Sequence, residues 1–204
     1  SSPVFKFHVD PADGSAPAEN LIKDSEMNDN GSWNYKQLWT GDDNNVEHGF
    51  ENGAFKFKAE DGVTHSNAVL WQEVHVEVGK TYNFKARVKS EGTTNSWLEV
   101  YFGKQDVASA GDDYTEGGAE IFIKSFGDGE NCGINAFDGD MLEVASGGCP
   151  LPGDSLLDSN GNVIFSEEDL TSNGTILILF KAGNWDGNFG TGIFLDDVIL
   201  KEVE

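Results

Sequence analysis

The chain has 204 residues, 38% apolar and 11% aromatic, which is enough for one sizeable hydrophobic core and, with 14 Phe and five Trp, argues against disorder. A formal net charge of −23 with a single arginine, Arg87, argues against nucleic acid, anionic lipid and acidic sugars as ligands, because Lys and Arg clusters hold these. We therefore expect a neutral ligand or a divalent cation. The sequence has no run approaching 18 apolar residues, so no membrane insertion is predicted.

In chain order, the sequence consists of short runs of alternating apolar and polar residues, separated by Gly, Asn and Asp. This pattern is typical of an all-β sandwich. Residues 1–18 are interpreted as a linker or the tail of a preceding region, and residues 19–204 as one domain. The predicted strands are 53–60, 68–78, 81–90, 96–104, 175–183 and 192–200.

The segment 104–174 is long, polar and rich in glycine, and we interpret it as an elaborated insertion in the domain rather than a second domain. "DSNGNVIF" (158–165) indicates a hairpin within it, because Asn-Gly favours a tight turn. "GDD" (111–113) and "SEED" (166–169) are interpreted as solvated turns.

Cys132 and Cys149, the two cysteines, flank a Gly- and Asp-rich stretch of this insertion. In an exported protein, a disulfide closing that loop would stabilise the fold by roughly 3 kcal/mol. Two free thiols in a reducing compartment are the alternative. We predict the disulfide.

The strand "SWLEVYF" (96–102) has unlike faces: Trp97, Glu99 and Tyr101 share one side, opposite Leu98, Val100 and Phe102. An aromatic–acid–aromatic ladder is a poor core. It suits a neutral sugar, whose apolar C–H face stacks on aromatics and whose hydroxyls hydrogen-bond to polar groups. In the alternative, the insertion partly buries Trp97 and Tyr101, and Glu99 pairs with Lys85 or Arg87.

The last strand, "GIFLDDVIL" (192–200), holds two adjacent carboxylates among branched apolar residues. Regular alternation would direct either Asp196 or Asp197 into the core, where an unpaired carboxylate is costly. The residues alone leave two solutions: a bound calcium ion, or an Asp at the sandwich edge that is solvated or caps a loop.

Four segments together resemble the family 4/16/22 group of carbohydrate-binding modules, which are β-sandwich jelly rolls of secreted glycoside hydrolases and surface glycan-binding proteins. Met27 and Asn28 depart from the family, which has Phe and an acidic residue there. The resemblance covers residues 20–103 and 175–203 and leaves 104–174 largely unmatched. The four segments are "NLIKDSEMNDNGSW" (20–33), "NGAFKF" (52–57), "LWQEVHVEVGKTYNFKARVKS" (70–90) and "FLDDVIL" (194–200).

The resemblance implies a structural calcium that clamps the N-terminal segment to the last strand. Its ligands, carried over position by position, are Glu26, the backbone carbonyl of Gly53, and Asp196, with Asp24 as an outside candidate. Calcium is bound by six to eight oxygens, so carboxylates and carbonyls from separate loops suit it. Asp197 is expected to point the other way, into solvent or toward a loop.

The resemblance also adds positions to the ligand face. It places Gln72 in the cleft, with Trp71 then toward the core, and it matches Lys181 to a polar position on the facing strand. Trp39 falls near the rim where such modules present a stacking aromatic, and Trp33 matches a core tryptophan.

Two further placements come from the residues alone. Trp185, among Gly, Asn and Asp, is either an exposed rim aromatic or a cover for the sandwich end. Arg87 and Lys85 share a strand face and are candidates for lining the same cleft.

Catalysis is not expected. The 36 carboxylates would supply acid–base pairs by chance, no glucanase-type E-x-D-x-x-E motif occurs, and spacing pairs no histidine with a nucleophile. The leading hypothesis is a non-catalytic, monomeric module that binds a neutral polysaccharide of the β-glucan or xylan type. It would be part of a larger extracellular or cell-surface protein. The alternatives are a calcium-stabilised adhesion or scaffold domain and, third, a glycoside hydrolase with a degenerate motif.

Overall fold

The computed structural model describes residues 18–40, 47–127 and 132–203, so most of the predicted linker, residues 1–18, lies outside the described residues. The strands are β1 Asn34–Thr40, β2 Gly49–Glu51, β3 Ala54–Phe57, β4 His65–His75, β5 Thr81–Ser90, β6 Thr94–Gly103, β7 Ile121–Lys124, β8 Phe137–Asp140, β9 Asn162–Ile164, β10 Thr175–Asn188 and β11 Ile193–Glu202. One short α-helix, α1 (Met141–Ser146), and 3₁₀ turns at Val107–Ser109 and Glu167–Asp169 complete the described elements.

These strands form two antiparallel sheets. The front sheet has the order β1-β4-β10-β6-β7; the back sheet has the order β2-β3-β11-β5-β8, with β9 also paired to β5. The predicted all-β fold, a jelly-roll sandwich of two antiparallel sheets, is confirmed. The segment 104–174 contributes β7 to the front sheet and β8 and β9 to the back sheet.

The core lies between the sheets and follows the alternation of the sequence. On β5, the residues Tyr82, Phe84, Ala86 and Val88 are buried, whereas Lys85, Arg87 and Lys89 are exposed. On β10, the even-numbered residues from Ile176 to Ala182 face this core. Trp33 is also buried here, as predicted, with its ring 6.1 Å from that of Phe180.

A β-bulge in β11 explains how this strand accommodates two adjacent aspartates. The pairing of β11 with β5 shifts between Asp196 and Ile199, and Asp197 has a left-handed backbone (φ 47°). Leu195 before the bulge and Val198 after it both face the core. The expectation that one carboxylate must enter the core was therefore wrong: Asp197 is exposed, as expected for it, and Asp196 is only partly buried.

Cys132 and Cys149 form the predicted disulfide, which closes the stretch that contains β8 and α1. The backbone N–H of Cys132 also donates to the carbonyl of Gly148. Within the described ranges, no helix combines the length and the apolar character of a membrane span.

Candidate functional site

One row of side-chain positions crosses the outer face of the front sheet. Strand register aligns Trp39 with Asn67, Asn67 with Gly183, Gly183 with Trp97, and Trp97 with Lys124. We call these five positions the cross-strand row. Because paired residues of adjacent strands lie side by side on the same face, the row forms one continuous surface from β1 to β7.

A cluster of three rings, Trp39, His65 and Trp185, occupies the β1 side of this surface. The rings of Trp39 and Trp185 stack with centroids 5.6 Å apart and an interplanar angle of 17°. His65 contacts the Trp185 ring edge-on at 4.5 Å, and its Nε2 lies 3.2 Å from the carboxylate of Asp186. Trp185 remains 57% exposed, so the cluster offers a large aromatic face to solvent.

The Trp97 ring lies over Gly183, in the space that a side chain there would fill. A Cβ on Gly183 would come within 2.2 Å of Cζ2 of Trp97. On the far side, Phe126 meets the Trp97 ring edge-on, and Nζ of Lys124 lies 5.1 Å from the centre of the Phe126 ring. The partly exposed Trp97 ring thus extends the aromatic surface toward β7.

The other part of the front sheet is covered by residues 104–119, which we call the strap. Val107 and Tyr114 of the strap are buried against the sheet, and Lys36 Nζ donates to the carbonyl of Val107 at 3.4 Å. Because the strap covers the outer face of β10, this strand is apolar on both faces. The sheet residues beneath the strap are Leu38, Val69, Tyr101, Leu177 and Leu179, with Trp71 at their edge.

A buried polar network fixes the strap to the sheet. Nζ of Lys181 donates to the Tyr101 hydroxyl at 3.0 Å, to Oδ1 of Asp113 at 2.9 Å and to the Tyr114 carbonyl at 2.8 Å, and it lies 3.0 Å from Oε2 of Glu99. Burial alone lowers the pKa of the Lys181 ammonium, but the Glu99 carboxylate and the Tyr101 hydroxyl outweigh burial and raise it above its ordinary value. Lys181 is therefore a charged, fully partnered anchor.

Trp97, Glu99 and Tyr101 share one face, as predicted, but only Trp97 is partly exposed. The strap buries Tyr101, as the alternative interpretation proposed, and Glu99 beside it. The partner expected for Glu99 in that interpretation, Lys85 or Arg87, was wrong: Glu99 pairs with Lys181.

Gln72 does not lie with these residues, and its predicted placement in the cleft was wrong. It is on the inner side of β4, where its side-chain amide both accepts from the N–H of Lys23 and donates to the carbonyl of Lys23, each at 3.0 Å. Trp71, expected to face the core, borders the strap on the outer face. Gln72 therefore tethers the N-terminal segment to the sheet.

Arg87 is also outside the surface, because β5 belongs to the back sheet. Its guanidinium lies 2.6 Å from a carboxylate oxygen of Asp138 on β8. The expectation that Arg87 and Lys85 line the same cleft as Trp97 was wrong.

Four residues of the surface were missed by the sequence interpretation: His65, Asn67, Asp113 and Gly183. His65 and Asn67 precede the predicted start of their strand, although their two-residue spacing to Val69 places them on its face. Gly183 lies two residues from both Lys181 and Trp185, so alternation likewise places it on their face. Asp113 was interpreted as part of a solvated turn, and no local signal indicates that the turn folds onto the sheet.

The residues predicted to hold calcium lie close together. The N-terminal segment runs alongside β11, and the backbone N–H of Val198 donates to the carbonyl of Ser25 at 3.0 Å. A Cβ built on Gly53 would lie 3.8 Å from the carbonyl oxygen of Glu26. Burial raises the pKa of the Asp196 carboxyl, and the charges of Asp197 and Glu26 raise it further. Among the described residues, no three His, Cys, Asp or Glu side chains are grouped to hold a metal.

Several solved structures are similar to this one over most of its length. A CBM4 structure has a TM-score of 0.46 and 15% identity, and the alignment covers 89% of this chain and 99% of that chain. TmCBM61, in complex with β-1,4-galactotriose, has a TM-score of 0.42 and 14% identity, covering 91% and 100%. TmCBM27, a carbohydrate-binding module with specific mannan recognition, has a TM-score of 0.39 and 13% identity, covering 93% and 98%.

These three structures are carbohydrate-binding modules, the class that the sequence resembles. No protein-family model and no curated protein sequence matches the chain. The similarity concerns the fold, and the ligands named above are those of the respective modules.

Proposed function

We propose that the chain is a non-catalytic module that binds a neutral polysaccharide, of the β-glucan or xylan type, on the cross-strand row and the adjoining Trp39–His65–Trp185 cluster. The observation that carries the proposal is the continuous aromatic surface of Trp39, Trp185 and Trp97, open to solvent on the outer face of a sheet. A tryptophan as exposed as Trp185 leaves a large apolar area in water, which is typical of ligand-binding surfaces.

The dimensions of this surface suit an extended chain. The backbone positions of Trp39 and Trp97 are separated by three strand spacings, roughly 14 Å, so the row as a whole is longer than a single sugar ring. The flat indoles would stack on the apolar faces of successive sugar rings, while polar groups beside the row would bind their hydroxyls.

The ligand is neutral in this proposal because the surface offers no bidentate cation. Arg87 is on the back sheet and is paired with Asp138, and Lys181 is occupied beneath the strap. The net charge of −23 would also repel acidic polysaccharides.

We include a structural calcium in the proposal. Glu26, the Gly53 carbonyl and Asp196 would hold it, and hard carboxylate and carbonyl oxygens are its preferred ligands. The fit is supported by the raised pKa of Asp196, which burial raises most and the charges of Asp197 and Glu26 raise further, at a place where Glu26 and Gly53 also meet. The ion would supply the missing positive charge and join the N-terminal segment to β11.

The module would act outside the cell, joined to other domains of a larger protein. The disulfide between Cys132 and Cys149 is in keeping with an oxidising compartment. Binding would keep an attached domain near its polysaccharide and so raise its effective concentration there, without chemistry in the module itself.

Affinity electrophoresis tests the proposal, using gels that contain mixed-linkage β-glucan, xylan, β-1,4-galactan or galactomannan, with alginate and pectin as acidic comparisons. Wild type should be retarded by at least one neutral polysaccharide. Trp185→Ala and Trp97→Ala should lose most of that retardation, whereas Ile164→Ala, which removes a similarly exposed side chain (58%) from the back sheet, should not. If no neutral polysaccharide retards the wild type, the proposal fails and a scaffold domain becomes the better hypothesis.

A further inference from the structure

We propose that Asp113 of the strap contacts the ligand directly and selects a neutral glycan with a free hydroxyl beside the stacked ring; this inference rests on the proposed function. The strap then has two roles. It removes the covered part of the front sheet from the ligand surface, and it supplies an acidic side chain at the border of the part that stays open.

Three donors hold Asp113 in one orientation. Its Oδ1 accepts from Nζ of Lys181, from Nδ2 of Asn67 and from the backbone N–H of Tyr114, each at 2.9 Å. Within the described part of the chain, Oδ2 accepts no hydrogen bond, and the side chain as a whole remains 53% exposed. The protein thus fixes one carboxylate oxygen and leaves the other free to accept.

The free oxygen lies beside the aromatic surface. Asn67, which donates to Asp113, is a member of the cross-strand row and is paired with Gly183, on which the Trp97 ring lies. Asp113 is therefore about one strand spacing from the stacking surface, roughly 5 Å. A sugar stacked on Trp97 or Trp185 would carry its hydroxyls at the ring edge, where an oriented carboxylate accepts a short, charge-assisted hydrogen bond.

Asn67 provides a second, independent observation at the same place. Its Nδ2 donates to the Asp112 carbonyl and to Asp113, and since both partners are acceptors, the orientation of the amide is determined. The side chain is only 7% exposed, yet its Oδ1 has no hydrogen-bond donor among the described residues. Buried polar atoms are rarely left unpaired, so a bridging water would complete the hydrogen bonding here.

The arrangement predicts the chemical class of the ligand more narrowly than stacking does. Stacking tolerates any flat apolar sugar face, whereas an acceptor pre-oriented by buried groups rejects a ring whose hydroxyl is substituted. We therefore expect unsubstituted neutral units at this position, and exclusion of units that are O-methylated or branched there.

The test is Asp113→Asn, measured by isothermal titration with whichever of the four neutral polysaccharides retards the wild type. An asparagine keeps a carbonyl oxygen for Lys181 and Asn67 and replaces only the free oxygen with an amide N–H₂. We expect affinity to fall about tenfold or more, the range for losing a hydrogen bond to a charged group. Asp112→Asn, which changes the adjacent, exposed carboxylate, should stay within about twofold of wild type.

A second measurement changes the ligand as well as the protein. Wild type should bind the native polysaccharide about tenfold more tightly than a partly O-methylated sample of the same polymer, and Asp113→Asn should lose most of that preference. If Asp113→Asn binds as tightly as wild type, or if wild type does not discriminate against the O-methylated polymer, the inference is wrong while the proposed function stands. If wild type binds none of the polysaccharides, the proposed function itself fails.

Discussion

At the scale of single residues, Gly183 determines where the Trp97 ring can lie on the sheet. The Trp97 ring occupies the space that a side chain at position 183 would need, and the carbonyl oxygen of Ser66 lies 2.6 Å from the same Cβ position. Gly183→Ala should therefore lift Trp97 from the sheet and destabilise the fold by about 1–3 kcal/mol, as overpacking does. Polysaccharide affinity should fall about tenfold, because the stacking plane is lost.

Tryptophan fluorescence, urea denaturation and affinity gels measure these three effects. Gly153→Ala is the matched control, since a Cβ there meets no atom within 4 Å. Unchanged emission and unchanged retardation of Gly183→Ala would show that the flat placement of Trp97 is not needed for binding.

Residue-scale prediction from the sequence succeeded where one face of a strand was clearly polar or aromatic. Trp97 was placed on the front face by two-residue spacing and Lys181 by the family resemblance, and that is where they lie. The resemblance placed Gln72 in the cleft and Trp71 toward the core, each on the wrong face, and the pattern of β4 could not correct this because the strand is apolar on both sides, with the strap covering the outer one. When both faces are buried, alternation cannot show which face is which.

At the scale of elements, β11 shows what strand periodicity leaves undetermined. Its apolar residues predicted a strand correctly, but the inserted residue at the bulge changes which side chains face inward. The strap was unpredictable for a related reason. Its turn residues are polar. The packing of Val107 and Tyr114 on the sheet is a tertiary contact that the local sequence does not indicate.

The bulge also places Asp196 where the proposed calcium would join β11 to the N-terminal segment. Calcium at about one hundred times its dissociation constant should stabilise the wild type by about 2.7 kcal/mol. For a domain of this size that corresponds to a rise in Tm of roughly 5–10 °C. Asp196→Asn should remove most of the calcium-dependent rise, because a carboxylate ligand is lost, whereas Asp197→Asn, at the exposed neighbour, should keep it.

Differential scanning calorimetry with excess calcium and with EDTA would measure this difference. Equal melting temperatures of the wild type under the two conditions would exclude a stabilising calcium site. An equal response of the Asp196 and Asp197 variants would instead place the ion elsewhere.

At the scale of the whole molecule, acidification has opposing effects on stability. Burial raises the pKa of Glu120, so this carboxyl contributes stability that is fully present below its unfolded pKa and is lost as pH rises through its folded pKa. Protonation also reduces the self-repulsion of a chain with a net charge of −23. Both effects favour the folded state as pH falls, so a loss of stability in acid must come from other groups.

His48 is such a group. Its ring packs against Phe57 and Phe189, with centroids 5.9 and 6.1 Å away, and its Nδ1 accepts from the backbone N–H of Lys58 at 2.8 Å. Burial lowers its pKa from 6.5 to about 4. A lowered pKa means that the neutral ring stabilises the fold above pH 6.5, and that this stability, about 3 kcal/mol, is lost as pH falls through 4.

His48→Asn should remove this acid sensitivity, because an amide oxygen can replace Nδ1 as the acceptor for Lys58 without titrating. The variant should be less stable than wild type at pH 7, since the packing against Phe57 and Phe189 is lost. Urea denaturation should show that this deficit shrinks by about 3 kcal/mol between pH 7 and pH 4. Ile164→Ala, which changes an exposed side chain that does not titrate, should differ from wild type by an amount that hardly changes with pH. A deficit of His48→Asn that stays constant across this range would mean that His48 is protonated in the folded protein with an ordinary pKa, and that the acid response is governed by the carboxylates alone.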